Sequence, residues 1–369
     1  MRLTIALDGM GGDGAPDVVV KGANMAHTRY PDAAFKIFGD AAKLTPLLER
    51  FPKLAKVATI HHTDVVVSGE DKPSQALRKA RGSSMGLAID AVRDGTAEGV
   101  VSAGNTGALM ALSKIALRTI PGISRPAIAT VVPTTRSECV MLDLGANISC
   151  DARNLVEFAI MGEVFCRAVL GRTKPTIGLL NVGEEDLKGH EYVRQAAATL
   201  RGLALPIEFR GFVEGDAVWA GSVDVVVTDG FTGNVALKTA EGIARMYSGF
   251  MREAFKSTIM SRLGYLLARG AIGKVRSRLD PRRYNGAMLL GLNGIVIKSH
   301  GGTDAFGFAN AIGVAVDMIQ GGFSGRIIEE FQRIGDFTAP LERRRCRNDV
   351  ALRGRGAWLL PSRKNTHKQ

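Results

Sequence analysis

"SVDVVVTDGFTGN", Ser222 to Asn234, is the stretch on which the fold turns. Its centre, Val225-Val226-Val227, is β-branched with no polar alternation, the pattern of a strand buried on both faces and so of a mainly parallel sheet. The run then passes through Asp, Gly, Thr and Asn into a helix-length pattern from Val235 to Phe255. Four other segments repeat this design: "EGVVSAGNTGA" (98–108), "CVMLDLGANIS" (139–149), "TIGLLNVGEED" (176–186) and "GIVIKSHGG" (294–302). Helix patterns such as Leu155 to Val169 separate them, and alternating strands and helices define an α/β protein of three layers, α/β/α. Loops that leave the carboxyl ends of parallel strands share one edge, where ligands bind. "AGNTGA", "LGANIS", "NVGEED", "DGFTGN" and "KSHGG" are therefore expected to line one cleft on one rim.

With 369 residues, 46% of them hydrophobic, the chain is long enough for one large α/β domain or two of moderate size. Aromatics at 6% and 44 glycines favour close-packed βα units over a sandwich or a base-stacking surface. No run approaches the roughly 20 apolar residues that span a bilayer, and "MRLTI" enters a strand pattern without the marks of a signal peptide. Cys139, Cys150, Cys166 and Cys346 have no C-x-x-C spacing, which points to free thiols in a reducing cytoplasm. The net charge of +12 is concentrated. Residues 245–283 carry ten basic against two acidic side chains, and residues 341–369 nine against two, so the remainder is slightly acidic. Such segments bear on partners and surfaces more than on the fold.

"ALDGMGGDGAP" (6–16) places Gly9, Gly11 and Gly14 at the G-x-G-x-x-G spacing of a dinucleotide turn. If "FKIFGD" is the second strand, its last residue, Asp40, stands in a tolerable place for a ribose-binding carboxylate. Asp13, however, would repel the pyrophosphate, and Pro16 follows at once. The better reading is a strand–loop–helix junction in which Asp8 and the glycines form a cleft floor, with no nicotinamide. No metal is expected either: His61 and His62 are adjacent, the other histidines are isolated, and no H-E-x-x-H occurs. A serine hydrolase lacks its G-x-S-x-G. "GEEDLKGHE" (183–191) is either a solvated charged loop or, from its place after "TIGLLNV", part of a site. Across 245–285, Phe255, Ile259, Leu263 and Leu266 form an apolar stripe beside Arg252, Lys256 and Arg262, expected as one amphipathic helix. Two readings of it are open: packing on a core or a second subunit, or contact with an acidic partner or anionic membrane.

Taken together, "DGMGGDGAP", "SAGNTGALMA", "RPA", "LDLGAN", "AIMG", "LLNVGEEDLKG", "VVVTDGFTGNVALKT" and "KSHG" resemble the PlsX family, over about residues 1–336. The resemblance implies a single catalytic domain like that of isocitrate dehydrogenase and phosphate acetyltransferase, with residues 245–285 as a protruding helical tip. It implies transfer of a fatty acyl group from acyl carrier protein to inorganic phosphate, a homodimer, peripheral contact with the anionic inner membrane from the cytoplasm, and no cofactor. By motif, Lys188 and Asn234 take the catalytic roles: Lys188 meets the charge of phosphate, Asn234 hydrogen-bonds the reacting carbonyl or phosphate. Asp8, Gly11, Gly12, Asn105, Thr106, Asn147, Asp229, Gly233 and His300 are the candidates for lining the substrate and phosphate site. Arg252, Phe255, Lys256, Ile259, Arg262, Leu263 and Leu266 are the candidates for membrane or carrier-protein contact.

The basic tail, residues 337–369, matches nothing in that family, and without interleaved aromatics it gives no reason to expect nucleic acid. The rival readings are a dehydrogenase or short-chain phosphate acyltransferase on the same scaffold, and a carrier-binding protein without catalysis. Phosphate-dependent thiol release separates the last from an enzyme.

Overall fold

Short connections set the direction of the sheet. The computed structural model describes residues 3–67, 80–203 and 207–334. Among them, eleven strands form one sheet: β1 (Thr4–Asp8), β2 (Ala34–Gly39), β3 (Ala58–His62), β4 (Gly99–Ser102), β5 (Ala127–Pro133), β6 (Glu138–Leu142), β7 (Thr176–Leu180), β8 (Glu208–Val213), β9 (Val225–Val227), β10 (Ala287–Leu290) and β11 (Ile295–Lys298). Their order is β3-β2-β1-β4-β11-β10-β5-β6-β9-β7-β8. The first five are mutually parallel, as are the last four. Between the blocks the pairs β11–β10, β10–β5 and β5–β6 are antiparallel. Three reversals leave the second block running opposite to the first.

This corrects the expectation of a single rim. The loops after β1, β4 and β11 leave one edge of the sheet, and those after β6, β7 and β9 leave the other. An apolar run reports burial but not direction. The direction was written elsewhere, in connections such as Thr134–Ser137, too short to join parallel strands, which need a dozen residues or more.

Helices cover both faces: α1 (Asp17–Arg29), α2 (Ala41–Glu49), α3 (Pro52–Ala55), α4 (Ser84–Arg93), α5 (Thr106–Leu117), α6 (Ala152–Leu170), α7 (Glu191–Gly202), α8 (Gly215–Ala220), α9 (Gly230–Lys256), α10 (Ile259–Arg278), α11 (Ala305–Gln320) and α12 (Phe323–Ile334). α4, α5 and the start of α9 share a core with Met141, Val226 and Val296. α6 lies on the other face, where Gly162 packs on Val225 and Leu142. Val225, Val226 and Val227 are fully buried, each contributing about 1.5–3 kcal/mol. The uninterrupted valines thus serve two cores at once.

The tip departs from the sequence reading. A single helix was expected across 245–285, but α9 ends at Lys256 and α10 begins at Ile259. Thr258 makes the break, since its side chain accepts from Ser261 N at 3.0 Å and caps α10. Phe255 therefore belongs to α9 and Ile259, Leu263 and Leu266 to α10. No residue of α10 is buried, and of α9 only Gly230 and Gly233 are. Contacts divide the chain after Arg333, and the expected extension 337–369 lies outside the described residues.

Candidate active site

Asp143 ends β6 and organises the rim of the second block. It is buried, and its carboxylate accepts from Ile128 N (2.9 Å), Ala146 N (3.0 Å), Asn147 N (2.7 Å) and Asn147 Nδ2 (2.9 Å). Burial pushes its pKa up, and these bonds pull the other way. "LGAN" is thus a turn wrapped around a carboxylate.

α9 starts on that turn. Asp229 caps it, accepting from Thr232 N at 2.9 Å, and Gly230 N donates to Asn147 O at 2.8 Å. A Cβ on Gly233 would lie 2.0 Å from Asp143 O, so only glycine lets the helix approach so closely. This seat presents Asn234 beside Gly145, with its amide exposed and without a hydrogen-bond partner among the described residues. The helix N-terminus adds positive potential at the same place.

The loop after β7 folds on itself, because Asn181 Nδ2 donates to Gly183 O (3.2 Å) and Lys188 O (3.1 Å). Lys188 is exposed and forms no ion pair among the described residues. Since β7 and β9 are neighbours, Lys188 and Asn234 emerge at the same edge from adjacent strands. Tyr192 ties them together: its hydroxyl donates to Asp229 Oδ2 at 3.3 Å, and its ring stacks on His190 at 5.5 Å. Burial first, then the Asp229 charge, pushes the Tyr192 pKa up to about 12, which keeps it a donor.

The rim of the first block is built alike, with Asp8 at the end of β1. Asp8 is buried and accepts from Ser84 Oγ (2.6 Å), Ser102 Oγ (2.7 Å) and Met10 N (3.3 Å). Desolvation raises its pKa. A Cβ on Gly11 would sit 2.4 Å from Asp8 Oδ2, and one on Gly9 2.7 Å from Phe38 O. The glycines of the opening loop thus make room for the protein itself, not for a pyrophosphate. Asp13 N donates to Gly301 O at 3.0 Å, joining this loop to the one after β11. Gly12 adopts a φ of 96°. Asn105 caps α5 through Ala108 N at 2.9 Å, Thr106 is exposed beside it, and His300 Nδ1 accepts from Gly302 N at 3.2 Å. Lys298 closes this rim. Its ammonium donates to Ala103 O (3.3 Å) and to Ser299 O. Burial lowers its pKa to about 8 against the pull of Asp8 and Asp13, and the charge of Lys238 lowers it further.

That last influence connects the rims. Asn234 and Lys238 are one turn apart on the same face of α9, and Lys238 lies within the field of Lys298. The Lys238 ammonium is itself paired with Glu241 at 2.8 Å, so the unpaired charge at the second rim is that of Lys188, which leaves the same edge as the Asn234 amide. A free ammonium and a free amide at one edge are the donors that an anion and a developing oxyanion require. Among the described residues no group of three or more His, Cys, Asp or Glu side chains is placed to hold a metal.

The sequence-predicted residues fall into two sets. Lys188, Asn234, Asn147, Asp229 and Gly233 meet on the second rim, and Asp8, Gly11, Gly12, Asn105, Thr106 and His300 on the first. Sequence reasoning missed Asp143, Tyr192, Lys238 and Lys298. A signal existed for two of them, since Asp143 and Lys298 each close an apolar strand, where a charged side chain is unusual. Tyr192 and Lys238 sit in helix patterns with nothing to distinguish them.

Solved phosphotransacetylases share this architecture. The enzyme from Streptococcus pyogenes matches with a TM-score of 0.60 at 18% identity, covering 86% of this chain and 94% of that one. The EutD phosphotransacetylase from Staphylococcus aureus matches with a TM-score of 0.55 at 15% identity and the same coverage. The fold is therefore that of the phosphotransacylase class. Residues 3–326 match the fatty acid synthesis protein family. The phosphate acyltransferase of Paramagnetospirillum magneticum is 62% identical over 332 residues, 90% of this chain and 95% of the relative. That of Parvibaculum lavamentivorans is 55% identical over 350 residues, 95% and 97% of the two chains. The chain belongs to the fatty acid synthesis protein family, the PlsX family, and is an acyltransferase.

Proposed function

We propose that the protein transfers a fatty acyl group from the thioester of acyl carrier protein to inorganic phosphate, giving acyl phosphate and a free thiol. The observation that carries this reading is that exposed Lys188 and the amide of Asn234, which has no hydrogen-bond partner among the described residues, leave the same edge of the sheet from adjacent strands. A phosphate oxygen attacks the thioester carbonyl carbon while Lys188 holds the phosphate charge. The carbonyl oxygen becomes an oxyanion and takes a hydrogen bond from Asn234 Nδ2. The carbon–sulfur bond then breaks, and the thiolate leaves and takes a proton from water. Phosphate is already a nucleophile, so the protein's task is to hold it against the carbonyl. Asp8, Gly11, Gly12, Asn105, Thr106 and His300 line the phosphate side from the first rim, with Asn147, Asp229 and Gly233 shaping the second. The test is thiol release from acyl carrier protein thioester with and without orthophosphate. Release independent of phosphate would overturn the reading.

We propose also that the chain works as a cytoplasmic homodimer at the anionic inner membrane, touching membrane or carrier through α9 and α10. Support comes from the exposure of Phe250 (62%) and Leu267 (91%) among basic side chains such as Arg252, Lys256 and Arg262. Phe255 is half-buried against the Tyr265 ring. Among the described residues no helix is long and apolar enough to cross a membrane. Changing Leu263 and Leu266 together to Glu should release the protein from anionic vesicles, and unchanged binding would assign the stripe to packing between copies.

A further inference from the structure

On the α6 side of the sheet, β5, the end of α6 and α10 line a cavity of about 800 Å³, open to solvent, that shares no residue with either rim. Its size falls within the range of small-molecule pockets, roughly 300–1,000 Å³. Val131, Val169, Leu170 and Val314, each partly exposed, give it an apolar wall backed by the buried Phe165. α10 forms another wall through Gly270 and Gly273, one turn apart. A Cβ at either position would meet nothing within 4 Å. Glycine weakens a helix interior, and no close approach calls for it here; its effect is to widen the space.

The mouth is cationic. Lys274 and Arg283 form no ion pair among the described residues, and Arg278 spends its guanidinium on the carbonyls of Thr134 and Thr135, both at 2.8 Å. Those carbonyls leave its charge unneutralised, and only Glu138 among the lining residues is acidic. Part of this charge answers the negative end of α10, but Arg283 lies beyond the helix. We propose that the cavity is a binding site for a single-chain amphiphile with an anionic head, its chain against Val131, Val169, Leu170 and Val314 and its head at Lys274, Arg278 and Arg283. The inference stands apart from the acyl-transfer reading, because the cavity lies outside both rims.

Calorimetric titration of the full chain with decylphosphonate, decanoate, decyltrimethylammonium and inorganic phosphate tests it. Saturable binding of decylphosphonate or decanoate, but not of the cationic amphiphile or of phosphate alone, is expected, and the tighter of the two identifies the head group. Gly273→Leu fills the space and strengthens the helix, so it should weaken binding by about a hundredfold while thiol release continues. Arg283→Ala should weaken it by about tenfold, and Lys188→Ala should leave it unchanged. Equal binding by Gly273→Leu and wild type overturns the proposal, as does equal binding of the cationic amphiphile. A dimer in solution that takes up no amphiphile also overturns it, by giving the cavity to a second copy.

Discussion

The two rims use one device to different ends. Each closes an apolar strand with a buried aspartate, Asp8 or Asp143, and folds the following Gly-rich loop around it. At the first rim the cation is inside: Lys298 is desolvated and pinned to carbonyl oxygens. At the second the cation is outside, on a self-folded loop, at the same edge as an amide with no partner among the described residues. A pinned ammonium supplies a fixed field. A free one can follow charge as it moves, which suits the place where bonds change. On the proposed reading, Lys188 and Asn234 face the reacting atoms, and the fixed field of the first rim helps to seat the phosphate that Lys188 holds.

The sharpest way to break that assignment is Lys188→Ala. Turnover should fall about a hundredfold or more, as when one stabilising donor is lost, while thermal unfolding stays that of the wild type. Wild-type turnover would move the chemistry elsewhere. Next in size is a matched pair of substitutions. The donors around Asp143 are backbone N–H groups, which cannot turn into acceptors, and the Asn147 amide, held in its orientation by a second bond to Pro126 O at 2.8 Å. Asp143→Asn would set an NH₂ group against them, at a cost of about 1–3 kcal/mol in denaturant unfolding. Around Asp8 two of the three donors are serine hydroxyls, which can rotate and accept, so Asp8→Asn should cost less. Equal costs would mean that the two carboxylates are not held as described.

The extent to which the sequence was legible follows from the same residues. Val225 to Val227 announced a doubly buried strand because three β-branched side chains leave no face for water, whereas glycine at 233, expected to line the substrate site, instead lets α9 approach Asp143. Direction was invisible in those runs. It lay in the four residues Thr134–Ser137, which read as an ordinary polar loop until their brevity is counted. The tip was misread for a related reason: the apolar spacing continues through Ser257 and Thr258, and only the capping hydroxyl shows the break. Lys188 and Asn234 were singled out by their motifs. Lys298 was not, since its importance comes from strands and loops distant in sequence that exclude water from it.

A smaller effect bears on the fixed field. Lys298 carries its charge below a pKa of about 8, so rising pH through that value neutralises it. The apparent KM for phosphate should then climb between about pH 7.5 and 9. In Lys298→Arg the guanidinium keeps its charge, and the climb should be lost. An identical pH profile in both proteins would remove Lys298 from phosphate binding.

The smallest expected effect tests the tie within the second rim. Tyr192→Phe removes one hydroxyl that donates to Asp229 Oδ2 at 3.3 Å and leaves the His190 stack in place. A single neutral donor to a half-buried carboxylate contributes about 0.5–1.5 kcal/mol. Asp229 still caps α9 through Thr232 N, so Asn234 keeps its seat and turnover should fall only a few-fold, about one unit of hydrogen-bond energy. The tyrosine pKa is raised from 10.0 to about 12. Its contribution is therefore whole below pH 10 and lost as pH rises through about 12, and the stability gap between wild type and variant should be flat from pH 6 to 9. A gap that changed within that window would mean that another titrating group, and not this hydroxyl, ties the Lys188 loop to the start of α9.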